Sequence, residues 1–485
     1  MNYTRLFIGG DLSGIQKFLY NISSKKAAVS LKGRSFYLQQ YMENTSKQLS
    51  EALKKAGSNS VQEIYCSGGK FYILADYSDK ALETVKDFAI KTKGDIWKEH
   101  MGQLGINISC TAFTENPDGS VNSDGMEHVV PGHLWGTVNR EFAKQKNQKF
   151  KDLLSDGYND YFCPIPVGGK PKVCAITGVE SPDCVKLDID DDGSTIDVLP
   201  SVKQQIILGE NLRNKQHFKS FEDYAGKTYL GILRMDVDGL GQRFIKGFKS
   251  IDEYKVFSAR LVRFFSNKIE EMQKEQDYRD FLNIIYSGGD DLFIVGRWDK
   301  VVDFANYIRK ETANNFSKDG ITISGGVAIV HPKFPIAKAA ELAGIAEDKA
   351  KSFRYGEKNA FHFLGKTVSW NKEFDYVRKF KDEFFQLISQ YNMSKGILHK
   401  IMLYDSMAQA NKKRAREGKA EDFSYIWHMS YYLTRMIERE EKNLAVKDFC
   451  LNLRDHELME DKGRKLELMA LAARWAELLL RNQDN

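Results

Sequence analysis

The chain carries one short unit twice. LFIGGDLSGIQ (residues 6–16) is followed by IYCSGGKFYIL (64–74), and GILRMDVDGLG (231–241) is followed by IYSGGDDLFIV (285–295). In each copy an apolar run of strand length reaches an aspartate, Asp11 or Asp236, and two further apolar runs flank a Gly-Gly turn. Helical periodicity lies between the first two runs and again after the turn, over 79–90 and 300–312. A duplicated supersecondary unit leaves few architectures open. Each copy reads strand, helix, helix, strand, tight turn, strand, helix, strand, which is the split βαβ plan of an antiparallel sheet with helices on one face.

The fold class that follows is α+β, with two ferredoxin-like domains of the kind shared by polymerase palms and nucleotide cyclases. INISCTAF (106–113) supplies the last strand of the first copy, which closes near residue 150. The second copy runs from about 224 to 367, with ITISGGVAI (321–329) as the matching strand and a helix over 336–352. Between them, 151–223 holds five of the nine prolines, the cysteines Cys163, Cys174 and Cys184, and an acidic run at 188–192, and reads as a loop-rich insert. No proline follows Pro335, and stretches such as KLELMALAARWAELLLR (465–481) have helical spacing, so 368–485 is expected to be an all-α domain.

Composition excludes several classes. With 42% apolar residues and 37 Gly plus 9 Pro in 485, the chain is neither collagen-like nor disordered. No run of 18 apolar residues and no signal-peptide layout occurs, so the expectation is a cytoplasmic protein without a membrane partner. A net charge of +5 permits a nucleic-acid partner without requiring one. The cysteines of the insert form no C-x-x-C pair, so a four-ligand zinc site is not supported.

Two strand-ending aspartates and an aspartate pair on a neighbouring hairpin would repel one another at one sheet edge unless cations were present. Hard carboxylate oxygens favour Mg²⁺ or Mn²⁺, and two such ions suit an in-line phosphoryl displacement. Asp236, Asp290 and Asp291 are therefore the expected ligands. The Val237 carbonyl is expected to add another, and Asp238 either to assist or to cap the turn. Gly288 and Gly289 let a nucleotide approach the backbone closely. Lys349 and Lys351, near the end of the helix after the last strand, are two apart and cannot share a face; Lys351 is the expected phosphate ligand. In the first copy Lys70 and Phe71 stand where the aspartate pair would be, so no metal is expected there. That half can still cradle a second nucleotide through Asp11, Ser13, Gly14, Ser67, Gly68 and Gly69, with the basic Lys32-Gly33-Arg34 near its phosphates. Two facing pockets with one metal centre suit a reaction that joins two nucleotides. The basic run Lys412-Lys413-Arg414-Ala-Arg416 is a candidate RNA contact, although a solvated helical face is the commoner meaning of such a run.

Together, GDLSGIQKF (10–18), SLKGRSFY (30–37), SGGKFY (67–72), SGGDDLF (287–293) and VHPKFP (330–335) closely resemble the large signature subunit of type III-A (Csm-type) CRISPR effector complexes. The resemblance implies a target-RNA-activated cyclic oligoadenylate synthase, with ATP as substrate and pyrophosphate as leaving group. Its implied partners are the other subunits of such a complex, the guide crRNA and the target RNA. By matched motif, Ser287, Gly288 and Gly289 would hold the donor nucleotide and Ser67, Gly68 and Gly69 the acceptor. Many members of the family begin with a His-Asp nuclease domain; this sequence starts at the first palm strand and has no His-Asp dipeptide, so that activity is expected to be missing. Three other readings compete: a stand-alone GGDEF-like cyclase, a nucleotidyltransferase adenylating a different acceptor, and a non-catalytic scaffold that positions RNA.

Overall fold

The repeat folds as two versions of one strand–helix order in the computed structural model, which describes residues 3–22, 26–100, 102–149, 151, 154–155, 158, 172–188, 194–440, 442–457 and 464–483. The chain divides into two units, the first made of Met1–Gly226, Leu230–Ile321 and Val330–Leu342, the second of Lys227–Tyr229, Thr322–Ile329 and Ala343–Asn485.

In the first unit the first copy comprises β1 (Arg5–Ser13), α1 (Ile15–Tyr20), α2 (Ala27–Lys55), β2 (Gln62–Ser67), β3 (Lys70–Asp76), α3 (Asp79–His100) and β4 (Gly105–Glu115). Short strands β5 (Val121–Ser123) and β6 (Met126–Val129) extend its sheet, in the order β2-β3-β1-β4-β5-β6, and α4 (Gly132–Asn147) follows. β1 is antiparallel to both β3 and β4. Its Leu6, Phe7 and Ile8 are all fully buried, so both faces of the strand are covered, which departs from a sheet clad on one face. The added cover is α4, whose Trp135 ring lies 4.2 Å from that of Phe7.

The segment expected to be loop-rich contains the short strands β7 (Lys172–Val173), β8 (Glu180–Ser181), β9 (Val185–Asp188) and β10 (Thr195–Val198), but also the 17-residue helix α5 (Pro200–Gln216). Pro200 starts it, where a missing N–H costs nothing. α5 crosses α2 at two glycines: a Cβ on Gly33 would stand 1.8 Å from the Gln205 carbonyl oxygen, and one on Gly209 would stand 2.1 Å from that of Val29. Cys163 and 189–193 of the acidic run lie outside the described residues.

After α6 (Phe221–Ala225), the second copy supplies β11 (Leu230–Val237), α7 (Leu240–Lys246), α8 (Ile251–Val262), a π-helical turn (Arg263–Lys268), α9 (Ile269–Gln273), β12 (Leu282–Gly288), β13 (Asp291–Arg297) and α10 (Trp298–Phe316). β13 pairs antiparallel with β11 and β12. An aromatic stack joins the copies within this unit: Trp135 lies 3.8 Å from Tyr254 at 6° between ring planes, and Phe244 contacts both rings.

The second unit holds most of β14 (Ile323–Val330) and the C-terminal part of α11 (Ile336–Lys351), then the hairpin β15 (Ala360–Phe363) and β16 (Lys366–Ser369), with β15 parallel to β14. Five helices follow, α12 (Asp375–Gln390), α13 (Gly396–Arg416), α14 (Ser424–Arg439), α15 (Leu444–Asn452) and α16 (Arg464–Gln483), as the apolar spacing predicts. The Lys412–Arg416 run occupies the exposed end of α13, where Arg414 donates to the Ala420 carbonyl.

Candidate functional site

β11 carries Asp236 one residue before its end, and the β12–β13 hairpin returns the chain so that Asp291 is its register partner. Partners across a strand pair project to the same face, and their carboxylate oxygens lie within 4.8 Å of one another. At that separation two ionised carboxylates repel by about 3 kcal/mol in an effective dielectric near 20. Both residues are half-buried, so the pair remains open to solvent and to a cation. This donor set, all hard oxygen, fits Mg²⁺ or Mn²⁺. Asp290 occupies the turn, its main-chain carbonyl accepting from the Val237 N–H at 3.2 Å. Asp238 precedes Gly239, which caps α7 at φ 69°.

The two hairpins differ in register by one residue. In the first, Ser67 pairs with Lys70 and the turn is Gly68-Gly69; in the second, Gly288 pairs with Asp291 and the turn is Gly289-Asp290. Lys70 is consequently the partner of Asp11, as Asp291 is of Asp236. Asp11 itself is buried, with the Lys146 ammonium from α4 at 2.5 Å. Where the second copy presents two carboxylates, the first answers its one carboxylate with an ammonium.

The hairpin tips touch. The Gly289 N–H donates to Ser67 Oγ at 2.8 Å, and a Cβ on Gly68 would stand 3.0 Å from Gly289 Cα. Beside them is a cavity of about 440 Å³, lined among others by Ser67, Gly68, Gly69, Ser287, Gly288 and Lys32. Such a volume is in the range of small-molecule sites. Ser287 donates to the Phe265 carbonyl in the π-helical turn, which lends Ser266 and Asn267 to the wall; turns of this kind recur at functional sites. The Lys32 ammonium donates to the Ile284 carbonyl at 2.6 Å, and burial lowers its pKa against the opposing pull of Glu270.

Several residues expected at the nucleotides have partners within the chain. Arg34 is buried and donates to the carbonyls of Phe18 (2.7 Å) and Asn21 (2.9 Å) and to Gln205 Oε1 (3.1 Å). With its neighbour Gly33 at the α2–α5 crossing, it is a packing residue rather than a phosphate contact. Asp11, Ser13 and Gly14 do not line the cavity: Ser13 Oγ donates to the Gly105 carbonyl, and Gly14 abuts that of Gln103. In the second unit, Lys351 pairs with Glu347 at 2.6 Å, and Lys349 adds to the burial that holds the His362 imidazole down to about 4. Cys174 and Cys184 are buried, and among the described residues no cysteine or histidine belongs to a cluster of three metal-donor side chains.

Sequence reasoning missed Tyr65. It is buried, and its phenol pKa is pushed well up by burial and then by the charge of Asp290. A Cβ on Gly289 would stand 2.8 Å from its hydroxyl. The available signal was its spacing, two residues before Ser67 on one strand face.

Two family models match the chain: Csm1 subunit domain B over residues 4–160, and the Cas10/Cmr2 second palm domain over 229–362. Among characterised relatives, a protein of Enterococcus italicus described as CRISPR system single-strand-specific deoxyribonuclease Cas10/Csm1 (subtype III-A) is 29% identical over 444 residues, covering 78% of this chain and 56% of the relative. One of Mycobacterium tuberculosis with the same description is 25% identical, covering 88% of this chain and 61% of its own length. The chain thus spans less than two thirds of either. Among solved structures, an apo Csm1-Csm4 cassette superposes with a TM-score of 0.68 at 17% identity, covering 99% of this chain and 70% of the other. A Csm1-Csm4 cassette in complex with cA4 gives 0.66 at 18%, covering 99% and 70%. At these identities the superpositions speak to fold.

Proposed function

This chain belongs to the Cas10/Csm1 family of type III-A large subunits, and from that premise we propose that it is a target-RNA-activated cyclic oligoadenylate synthase. In this reading 1–150 and 224–367 are two ferredoxin-like palms, 151–223 an insert and 368–485 a helical domain. Partners are a Csm4-type subunit, small subunits, guide crRNA and target RNA. The observation that carries it is the pairing of Asp236 with Asp291 near hairpin tips that touch beside a nucleotide-sized cavity.

The reaction joins two ATP molecules. The 3′-oxygen of one forms a bond to the α-phosphorus of the other, the bond to pyrophosphate breaks, and the hydroxyl proton is released. Asp236, Asp290 and Asp291, with the Val237 carbonyl, would hold Mg²⁺ or Mn²⁺, whose charge when bound offsets that developing on the phosphates. The chain's own contribution is placement: Ser287 and Gly288 line the donor side with Gly289 at the adjoining hairpin tip, and Ser67, Gly68 and Gly69 line the acceptor side. Lys351 and Lys349 are the proposed phosphate cations from α11. The first copy, with an ammonium at Asp11, favours a metal-free partner site and hence the asymmetry that a two-nucleotide reaction needs. That asymmetry is also what disfavours a stand-alone GGDEF-like cyclase.

The test is mass spectrometry of the assembled complex with guide and matching target RNA, ATP and Mg²⁺. Cyclic 3′–5′ adenylates and pyrophosphate are expected. The double variant Asp290→Ala/Asp291→Ala should lower their yield by about 10²-fold or more, the scale of several kcal/mol of lost charge stabilisation. Unchanged yield would reject the site.

A further inference from the structure

The contact between hairpins gives the first copy a task beyond binding a nucleotide. We infer that Ser67 is a positioning residue for the aspartates of the opposite hairpin; this rests on the metal reading above and extends it.

Gly289 is the residue whose conformation sets the turn. It has φ 69° and is followed directly by Asp290 and Asp291. Its N–H has one acceptor, Ser67 Oγ at 2.8 Å, contributed by a strand more than two hundred residues earlier. On the same face of β2, two residues before Ser67, the buried Tyr65 hydroxyl lies against Gly289. Gly68 presses on Gly289 Cα from the tip. The turn bearing the aspartate pair is therefore held on three sides by the first copy, where Ser67 supplies a directional bond, while the Val237 N–H holds the Asp290 carbonyl from the second. A two-residue turn released from that bond gains rotational freedom about Gly289, and the carboxylates of Asp290 and Asp291 move with it. Ser287, which leads Ser-Gly-Gly in the second hairpin, cannot replace it, because its hydroxyl is committed to the Phe265 carbonyl.

The test uses the full chain with Mn²⁺ as probe, followed by electron paramagnetic resonance, and hydrogen–deuterium exchange of the peptide spanning 282–292. Ser67→Ala should weaken Mn²⁺ binding about fivefold, the scale of one net hydrogen bond, and speed exchange at the turn. S67T, which keeps the acceptor oxygen, should restore both. In the assembled complex S67A should lower kcat, and S67T should restore it. A raised KM for ATP with unaltered Mn²⁺ affinity and unaltered exchange at the turn would confine Ser67 to the nucleotide and overturn the inference. A lowered Tm with unaltered affinity and exchange would reduce it to a fold contact and overturn it equally. Asp291→Ala distinguishes the two levels: if wild-type Mn²⁺ binding does not depend on Asp291, the metal reading fails and takes this inference with it, whereas Asp291-dependent binding that ignores S67A sinks the inference alone.

Discussion

Substituting Gly289 with alanine separates two contributions that coincide in the second hairpin. Its φ of 69° places any L-residue in the left-handed region, at a cost of roughly 1–2 kcal/mol. The new methyl would in addition stand 2.8 Å from the Tyr65 hydroxyl and 3.0 Å from Gly68 Cα, closer than side chains approach backbone without something moving. Overpacking of this kind costs roughly 1–3 kcal/mol more. Gly239 is the internal control, because it shares φ 69° yet a Cβ there meets nothing within 4 Å. In urea titrations followed by tryptophan fluorescence, Gly239→Ala should therefore cost about 1–2 kcal/mol and Gly289→Ala about 2–5. Equal losses for the two variants would refute the claim that the hairpins are in contact, whatever their activities.

Other expected outcomes are as direct. Arg34→Met strips the donor from the carbonyls of Phe18 and Asn21 and empties a buried site, and should destabilise the first unit by about 2–5 kcal/mol; full stability with weakened ATP binding would return Arg34 to the phosphates. Gly209→Ala drives a methyl into the Val29 carbonyl and should lower Tm by an overpacking cost of roughly 1–3 kcal/mol, with circular dichroism as readout. His362 is held down to about 4, first by burial and then by Lys349, below its unfolded value of about 6.5. Protonation hence favours the unfolded chain, so stability is unaffected above about pH 6.5 and declines by roughly 2–3 kcal/mol as pH falls towards 4. His362→Gln should flatten that slope in urea midpoints measured at pH 7.5 and 5; a slope as steep as that of the unsubstituted chain would assign it to other groups.

The repeat made the strand order of both copies legible, because Gly-Gly turns between apolar runs leave little choice of local structure. Asp236 and Asp291 could be paired from sequence for the same reason. The one-residue shift of Ser-Gly-Gly along the two hairpins could not, since it shows only once the pairing is known: the β-bulges at Ile64 and Ile285 each lie four residues before the turn. Lys70 therefore aligned with Asp290 in the sequence but stands opposite Asp11 in the fold. Arg34 looked like a phosphate contact because basic residues beside glycine are typical of such sites; only the crossing of α2 with α5 reveals that it is enclosed. α5 itself was hidden by the prolines and charged residues around it, and its buried Val202 and Ile206 are too few to declare a helix alone.

The stack of Trp135 on Tyr254 has a bearing on traffic. Both rings are sealed from water, and each would regain some 150–250 Å² of surface if the halves swung apart. At about 25 cal/mol per Å² that is roughly 8–12 kcal/mol for the two. A state open along that seam would therefore be populated at about one part in 10⁶ or less. Whatever enters or leaves must pass through the mouth of the cavity while the two lobes stay clenched.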